Sequence, residues 1–377
     1  MKKILLTPGP TPVPEEVLLT MAAPILHHRT EEFGEIFSRC LDGLKYVYQT
    51  SNEVLVVAAS GTGAMEASVA NFLRPADKVI VASCGNFGER WTKILRAYGV
   101  NPIEISFGWG QAVDPAEIEK RLKENPEIKA VYTTLTETST GVVNDIETIG
   151  QVVARSEAIL VVDAISGLAG DKLLTDEWKV DVAVSGSQKG LMLPPGLAFV
   201  SLSPKAINLL ETATLPRFYF DFRLMRKSVG TKETPFTPAV SLFVGLDRAL
   251  AMIKEKGLGN IWRDCEKMAR AVRQALLSLG LKLVAERPAN IVTAAYLPEN
   301  IDGGKLVKTL RQEYGISIAG GQGKLKGKII RLAHTGYISP SDILAGLGAL
   351  EKVLNNSGYK VSPGISLSRF SETINNV

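Results

Sequence analysis

The chain has 377 residues, of which 45% are hydrophobic and 22% are charged, and its formal net charge is +4. This composition is ordinary for a globular protein, and the length favours two domains over one. The basic residues form no long run and no basic-aromatic patch, so no nucleic-acid partner is expected. No apolar stretch approaches membrane-spanning length, and the N-terminal apolar run is too short for a signal peptide. We therefore expect a cytoplasmic protein with no membrane partner.

Six short apolar runs alternate with helical patterns after the proline-rich N-terminus. Continuous apolar strands between helices indicate a mostly parallel sheet that is covered on both faces. Ligands of such sheets bind at the carboxyl ends of the strands. The predicted strands are EVLVVAA (53–59), KVIVAS (78–83), AVYTTL (130–135), AILVVDA (158–164), VDVAVSG (180–186) and GLAFVSLS (196–203).

The first of these strands ends in a turn of small residues, AASGTGAMEA (58–67), that runs directly into a helix. The amides at a helix N-terminus, with the hydroxyls of Ser60 and Thr62 beside them, form an anion site suited to phosphate. The alternative is a tight strand-to-helix turn in which Ser60 is only the N-cap.

Two ionisable residues follow later strands. Asp163 comes after four apolar residues in ILVVDAISG (159–167), and a carboxylate there is costly to bury unless a cation meets it. Lys189 lies in SGSQKGLMLPPG (185–196), a constrained loop whose small residues let a large group lie against the backbone. Taken singly, Asp163 could be a helix cap or a buried hydrogen-bonding group, and Lys189 could be a surface residue.

A phosphate-binding turn, a carboxylate and a lysine, in that order on one parallel sheet, meet the requirements of pyridoxal 5'-phosphate (PLP). A lysine amine forms a Schiff base with this cofactor. A carboxylate holds the pyridine nitrogen protonated, so that the ring accepts electrons from a substrate carbanion. The sequence therefore predicts PLP as the cofactor, with Asp163 and Lys189 in these two roles.

A helical pattern at 238–257 precedes a region of different character, which we predict to be a smaller α+β domain. Its predicted elements are a helix at 261–280, a strand at 281–286, an apolar segment at 290–297 and a strand, KIIRLAH, at 328–334. The polar tail from residue 362 is weakly patterned, and we assign it no structure. The predicted division is an N-terminal arm over 1–14, a large domain over 15–255 and a small domain over 256–377.

The three cysteines are widely separated and lack the paired spacing of a metal or redox site. They are Cys40, Cys84 and Cys265. We expect them to be structural or incidental, and we expect no metal site.

The motifs ASGTGAMEA (59–67), VVDAISG (161–167) and SGSQKGLMLPPG (185–196) resemble those of the class V aminotransferases of fold type I. The likeness is greatest to the alanine–glyoxylate and serine–pyruvate branch, and it runs from TPGPTPVP at 7–14 to KIIRLAH at 328–334. It implies a large domain with a mostly parallel mixed sheet between helices, a smaller C-terminal α+β domain, and a homodimer whose subunits share active sites.

The resemblance also implies a set of cofactor contacts. Lys189 would carry the cofactor and Asp163 would bind the pyridine nitrogen. The remaining contacts would be Ser60, Gly61, Thr62 and Gln188 at the phosphate, Ile165 and Phe87 on the two faces of the ring, and Thr138 near the ring hydroxyl. Relatives often have Trp at the position of Phe87, so we expect a smaller stacking area here.

Substrate and partner contacts are implied in the same way. Arg331 matches the arginine that binds the substrate α-carboxylate through paired hydrogen bonds, and an arginine paired with a structural carboxylate is the alternative. Backbone groups around Gly9 would complete this pocket. The segment ETPFTPAVSL (233–242) matches one that reaches the phosphate of the partner subunit, with Thr237 as our first choice and Thr234 as our second.

The stretch PILHHRTEEFGEIF (24–37) contains Arg29 immediately before a helix that Thr30 is predicted to cap. One interpretation is a helix cap with solvated charges. The other is that Arg29 or His28 reaches the neighbouring subunit's pocket and binds an acidic substrate side chain, such as that of aspartate.

Together these features predict a PLP-dependent transaminase with ping-pong kinetics. It would move an amino group from a small L-amino acid (alanine, serine or aspartate) to glyoxylate or pyruvate, with Lys189 moving the proton. A cysteine desulfurase or lyase of the same fold is the alternative, and a desulfurase needs a mobile cysteine facing the cofactor. A nucleotide-binding protein is disfavoured because GGQGKLKGK (320–328) matches no phosphate-loop pattern. An inactive scaffold is disfavoured by the presence of Lys189, Asp163 and Arg331.

Overall fold

The computed structural model describes residues 3–376. The strands in this part of the chain are β1 (Ile4–Leu5), β2 (Glu53–Val57), β3 (Val79–Ser83), β4 (Ile103–Ser106), β5 (Ala130–Thr134), β6 (Thr136–Glu137), β7 (Val142–Val143), β8 (Ile159–Asp163), β9 (Val182–Gly186), β10 (Ala198–Leu202), β11 (Lys282–Leu283), β12 (Val292–Tyr296), β13 (Ile316–Ser317), β14 (Ala319–Gly320) and β15 (Ile329–Ala333). The helices are α1 (Glu15–Met21), α2 (Glu31–Tyr48), α3 (Gly61–Ala70), α4 (Gly88–Ala97), α5 (Pro115–Glu124), α6 (Ile146–Val153), α7 (Pro204–Leu210), α8 (Phe222–Val229), α9 (Val240–Lys256), α10 (Leu258–Ser278), α11 (Gly303–Glu313), α12 (Pro340–Asn356) and α13 (Ile365–Asn375). None of the helices within residues 3–376 combines the length and the apolar character needed to cross a membrane.

The main sheet has seven strands in the order β2-β10-β9-β8-β5-β3-β4. Only β10 runs against its neighbours, and the pairs from β9 to β4 are parallel. Six of these strands are the six predicted from their apolar runs. The seventh, β4, was missed because it lies at the edge of the sheet, where only one of its four residues is buried. The mostly parallel mixed sheet predicted from the sequence is therefore confirmed.

Two hydrophobic cores lie on opposite faces of this sheet. In β8, Leu160 and Val162 pack with α2, α5, α6 and α9, whereas Ile159 and Val161 pack with α3, α4, α7 and α8. Burying an aliphatic side chain stabilises the fold by about 1.5–3 kcal/mol, so strands that are buried on both faces need apolar residues at every position. This double burial holds the carboxyl edge of the sheet in a fixed position.

A second, antiparallel sheet has the strand order β11-β12-β15-β14 and packs against α10, α11, α12 and α13. Between α9 and α10, Gly257 has a positive φ of 80°, and the packing partners change there from α1 and α2 to α13. We therefore keep a domain boundary near residue 256 as a proposal. The polar tail, to which we assigned no structure, forms α13, and its Phe370 is fully buried.

The N-terminal residues connect the second region with the loop that contains Lys189. Strand β1 pairs in parallel with β13, and Leu6 packs in the core of the second region. Further along, Thr11 donates from its amide to the carbonyl of Gln188 at 3.1 Å and from its hydroxyl to the carbonyl of Lys189 at 2.9 Å. The arm is therefore held at both of its ends.

Candidate active site

The predicted site residues gather at the carboxyl edge of the main sheet. Strands β2, β3, β5, β8 and β9 all point towards this edge, because the antiparallel β10 restores the direction of β2. The turns that follow these strands line one cavity. Its lining consists of Ser60, Gly61, Thr62, Phe87, Arg90, Thr138, Asp163, Ile165, Ser166, Gln188 and Lys189.

Lys189 lies three residues after β9, on a loop that leaves its amine partly buried. Its Nζ donates to the carbonyl oxygen of Pro8 at 2.7 Å. Burial lowers the pKa of Lys189 from 10.5 to about 8, although Asp163 opposes this effect. A Cβ on Gly9, which has a φ of +148°, would lie 2.2 Å from this amine, so only glycine fits at that position. The loop therefore presents an amine that loses its proton far more readily than a surface lysine does.

Asp163 is the last residue of β8 and is 5% exposed. Its Oδ1 accepts a hydrogen bond from the amide of Ile165 at 2.8 Å. Burial raises the pKa of Asp163 from 3.8 to about 7, and the charges of Arg90 and Lys189 act in the opposite direction. A cation placed against this carboxyl would hold it ionised.

The turn before α3 is where the sequence predicts an anion site. Ser60 occupies the N-cap position in an extended conformation, but its side chain makes no capping hydrogen bond. The first amides of a helix have no acceptor within the helix and carry the positive end of its dipole. Beside them, Gln188 Oε1 is buried and has no hydrogen-bond partner within the described part of the chain. Ser60 therefore occupies the cap position, as in the alternative interpretation, but without a side-chain capping bond, and its phosphate role stays a prediction.

Arg331 lies in β15 and is 4% exposed. Its Nη1 donates to the carbonyl of Thr138 and its Nε to the carbonyl of Gly320, both at 2.9 Å. Burial lowers the pKa of Arg331 to about 10. Both hydrogen bonds go to neutral carbonyls rather than to a structural carboxylate, so the guanidinium keeps its charge available for an anion. Thr138 also donates from its hydroxyl to Ser166 Oγ at 2.6 Å.

Residues 4–336 match the model of the family described as aminotransferase class V. This chain is a class V aminotransferase. The small subunit of a soluble hydrogenase from Synechococcus sp. is 43% identical over 99% of this chain and 98% of its own length. The L-aspartate–glyoxylate aminotransferase of Paracoccus denitrificans is 36% identical over 97% of this chain and 94% of its own.

Among solved structures, the ureidoglycine–glyoxylate aminotransferase of Bacillus subtilis superposes with a TM-score of 0.96 and 27% identity, and the match covers 100% of this chain and 99% of that one. The family and the fold type predicted from the motifs are confirmed. Class V aminotransferases are enzymes that use PLP.

Sequence reasoning missed Arg90 and Ser166, which line the cavity, and Glu137, which lies beside it. Arg90 donates from Nη1 to Thr62 Oγ1 at 2.9 Å, and its guanidinium lies 4.8 Å from the centre of the Phe87 ring. Glu137 is fully buried between the turn of Phe87 and the loop of Thr138. The available signals were the three-residue spacing of Arg90 from Phe87 on one helix and the charged residue beside Thr138 in TETSTG.

Five predicted site residues are not part of the cavity lining. Gly9 adjoins Lys189 and Arg331 contacts Thr138, both of which line the cavity. The other three are Thr237, Thr234 and Arg29. Thr237 is exposed, and Thr234 donates from its hydroxyl to the carbonyl of Phe236 at 2.7 Å. Arg29 donates from Nη1 to Glu233 Oε2 at 2.7 Å and to the carbonyl of Thr234 at 3.2 Å. Arg29 thus holds the segment that we predict to reach the partner of the aminotransferase, and the roles of all three stay predictions.

The three cysteines are buried, and none lies on an exposed loop. Burial raises the pKa of both the Cys84 and the Cys265 thiols to about 12, and it also raises that of Cys40. The mobile, reactive cysteine that a desulfurase requires is therefore not among them. Within residues 3–376, no three His, Cys, Asp or Glu side chains are placed to share a metal ion.

Proposed function

We propose that this aminotransferase binds PLP through Lys189 and transfers the amino group of a small L-amino acid (alanine, serine or aspartate) to glyoxylate or pyruvate. The observation that carries the proposal is the Lys189 amine, with its pKa near 8, in one cavity with the Asp163 carboxyl and the N-terminus of α3. The names of the Paracoccus denitrificans and Bacillus subtilis relatives both include glyoxylate, which supports this acceptor.

The residues of the cavity fit PLP chemically. The N-terminus of α3 and the hydroxyls of Ser60 and Thr62, which line the cavity, suit a phosphate group. The Asp163 carboxyl suits a protonated pyridine nitrogen, and the apolar surfaces of Phe87 and Ile165 suit the two faces of a flat ring. The phosphate, the ring nitrogen and the two ring faces therefore each have a matching group in this chain.

When bound, PLP supplies an electron sink that stabilises negative charge at the substrate α-carbon. Arg331 binds the α-carboxylate through its guanidinium and so orients the α-proton. The amine of Lys189, in its neutral form, removes that proton as a general base and returns it as a general acid. Because its pKa is lowered to about 8, the neutral form grows as the pH rises towards 8. Asp163, held ionised by a cation, keeps a proton on the facing nitrogen.

We also propose that the working unit is a homodimer in which Thr237 or Thr234 reaches the phosphate site of the other subunit. Large apolar side chains next to this segment support the proposal. Phe218 is 75% exposed, and its ring centre lies 5.7 Å from that of Phe236. Tyr219 is 43% exposed and stacks on Phe236 at 5.2 Å. Contiguous exposed aromatic surface of this kind marks interaction sites.

The test uses purified protein reconstituted with PLP. Initial rates are measured for L-alanine, L-serine and L-aspartate against glyoxylate, pyruvate and 2-oxoglutarate. We expect ping-pong patterns, with glyoxylate or pyruvate preferred over 2-oxoglutarate. Absence of amino transfer in every combination, or a clear preference for 2-oxoglutarate, would contradict the proposal.

A further inference from the structure

We propose that Glu137 is a positioning residue of this site. Its buried carboxylate fixes the position of the ring-stacking Phe87 relative to that of the substrate-binding Arg331. The inference rests on the proposed function, because it assigns these two residues to cofactor and substrate. It concerns a residue of β6 that makes no contact with either ligand in the proposal.

Four hydrogen-bond donors converge on the Glu137 carboxylate. Oε2 accepts from the amides of Gly88 at 2.9 Å and Phe87 at 3.1 Å. Oε1 accepts from the amide of Ser139 at 3.1 Å and from its hydroxyl at 2.5 Å. Three of these donors are backbone amides, which cannot accept a proton. The Ser139 hydroxyl is the one neighbour that could, and it already accepts from the amide of Asn86 at 3.1 Å, so the ionised form fits the site best. Burial raises the pKa of Glu137, and the four donors oppose this effect.

On one side, Glu137 takes the place of an N-cap for α4. Phe87 occupies the cap position of this helix and makes no side-chain capping bond. The first amides of α4 are satisfied instead by a carboxylate from a different element, so the backbone position of Phe87 depends on Glu137. The glycine at position 85 makes room for this arrangement, because a Cβ there would lie 2.6 Å from Glu137 Cδ.

On the other side, Glu137 fixes the loop that holds Arg331. The two donors from Ser139 bind the residue directly after Thr138, whose carbonyl accepts from Arg331 Nη1 at 2.9 Å. The negative charge of Glu137 also acts on Arg331, raising its pKa against the effect of burial. The Glu137 carboxylate thus connects the turn of Phe87, which is proposed to face the cofactor ring, with the loop of Thr138, which holds the proposed substrate-binding Arg331.

The chain offers a matched control in Glu351 of α12. This carboxylate is 4% exposed and likewise accepts only from neutral donors at the start of a helix. These donors are the amides of Gly364 at 2.7 Å and Ser366 at 2.8 Å and the Ser366 hydroxyl at 2.6 Å. Glu351→Gln removes the same charge and the same acceptor as Glu137→Gln, but it does so at α13, which contributes nothing to the cavity lining.

The experiment compares the two variants with the wild-type protein in four measurements. These are the thermal midpoint without cofactor, the dissociation constant for PLP added to the cofactor-free protein, the visible circular dichroism of the bound cofactor, and KM for L-alanine with glyoxylate. We expect both variants to lower the thermal midpoint. Only Glu137→Gln should also weaken PLP binding about tenfold or more, raise KM, and reduce the dichroism, because buried donors lose an acceptor in that site alone.

Ser139→Ala provides a milder second variant, which removes only one of the four donors. It should shift PLP affinity and KM in the same direction by several-fold. Wild-type values of PLP affinity, KM and dichroism in Glu137→Gln, or in Ser139→Ala if Glu137→Gln does not fold, would overturn the inference while leaving the proposed function intact. A wild-type protein that binds no PLP would overturn both.

Discussion

The two parts of the proposed site differ in how they are built. The cavity at the end of the main sheet is assembled from one chain. The buried Asp163 in its lining and the buried Glu137 and Arg331 beside it are held by hydrogen bonds. The segment from Glu233 to Thr237 is partly exposed, with Thr234 buried and Thr237 exposed, and it is held by the half-exposed ion pair of Arg29. Residues in an enclosed site are constrained by packing on all sides. The position of a partly exposed segment depends also on any second subunit that packs against it. Mutations in the two parts should therefore differ in the size and the selectivity of their effects.

The largest effect is expected from Lys189→Ala, which removes the amine at the centre of the enclosed part. Amino transfer should be abolished, since Lys189 is the group proposed to move the α-proton. The cofactor should still bind without a covalent link, through the phosphate and ring contacts. Turnover and the adduct fixed by borohydride measure the two consequences. An undiminished covalent adduct would show that another lysine carries the cofactor.

Asp163→Asn should be next in size. The rate of the half-reaction with L-alanine or L-serine should fall about 10²-fold or more, because losing one partner of a buried charge pair costs about 2–5 kcal/mol. Stopped-flow absorbance of the cofactor measures this rate. Rates near those of the wild type would make Asp163 a structural residue.

The same variant should stabilise the protein when the cofactor is absent. The pKa of Asp163 is raised from 3.8 to about 7 on folding, so the folded state favours the protonated form and loses stability as the pH rises through this range. Asparagine carries no such charge. At pH 8, the thermal midpoint of cofactor-free Asp163→Asn should therefore exceed that of the wild type. The difference between the two midpoints should shrink as the pH falls towards 4. A difference that is independent of pH would contradict the raised pKa.

Arg331→Lys should raise KM for every amino donor by roughly tenfold or more, because an ammonium cannot make the paired hydrogen bonds of a guanidinium to a carboxylate. Steady-state kinetics with alanine, serine and aspartate test whether the loss is general. Arg287→Lys is the control, since Arg287 forms a half-exposed ion pair with Asp145 away from the cavity. A loss restricted to one donor would assign Arg331 to a side-chain pocket instead.

The smallest and most selective effect is expected in the partly exposed segment. If Arg29 binds an acidic substrate in the neighbouring subunit, Arg29→Ala should lower kcat/KM for aspartate by about 1.5 kcal/mol, the lower end for a charged hydrogen bond. The value for alanine should hardly change. Equal losses for both donors would instead give Arg29 the role of holding Glu233 and its neighbours.

Most of the strands around the enclosed part could be predicted from the sequence, because strands that are buried on both faces consist of continuous apolar runs. Strand β8 is apolar from Ile159 to Val162, so Asp163 could be recognised as a carboxylate at the end of a strand. The direction of β10 was not readable, because an antiparallel strand that is buried on both faces has the same apolar run as its neighbours.

The role of Glu137 could not be predicted from the sequence, because it depends on residues that come together only in the folded chain. Glu137 and Phe87 are 50 positions apart, and nothing local indicates that one caps the helix of the other. The tail helix α13 is held in the same way by Glu351, 15 residues before Ser366. Such long-range caps have no periodicity, so composition and spacing cannot predict them.

The pairing of β1 with β13 has a consequence for synthesis of the protein on the ribosome. The N-terminal arm emerges first, yet its strand partner, Ile316–Ser317, is made more than 300 residues later. Until then, Pro8, which accepts from the Lys189 amine, has no anchored strand next to it. The main core can form while translation continues, since domains fold as units from the N-terminal side. Lys189 therefore acquires its final setting only when the chain is nearly finished. A nascent chain stopped before β13 would keep a folded sheet, with the arm held only at Thr11.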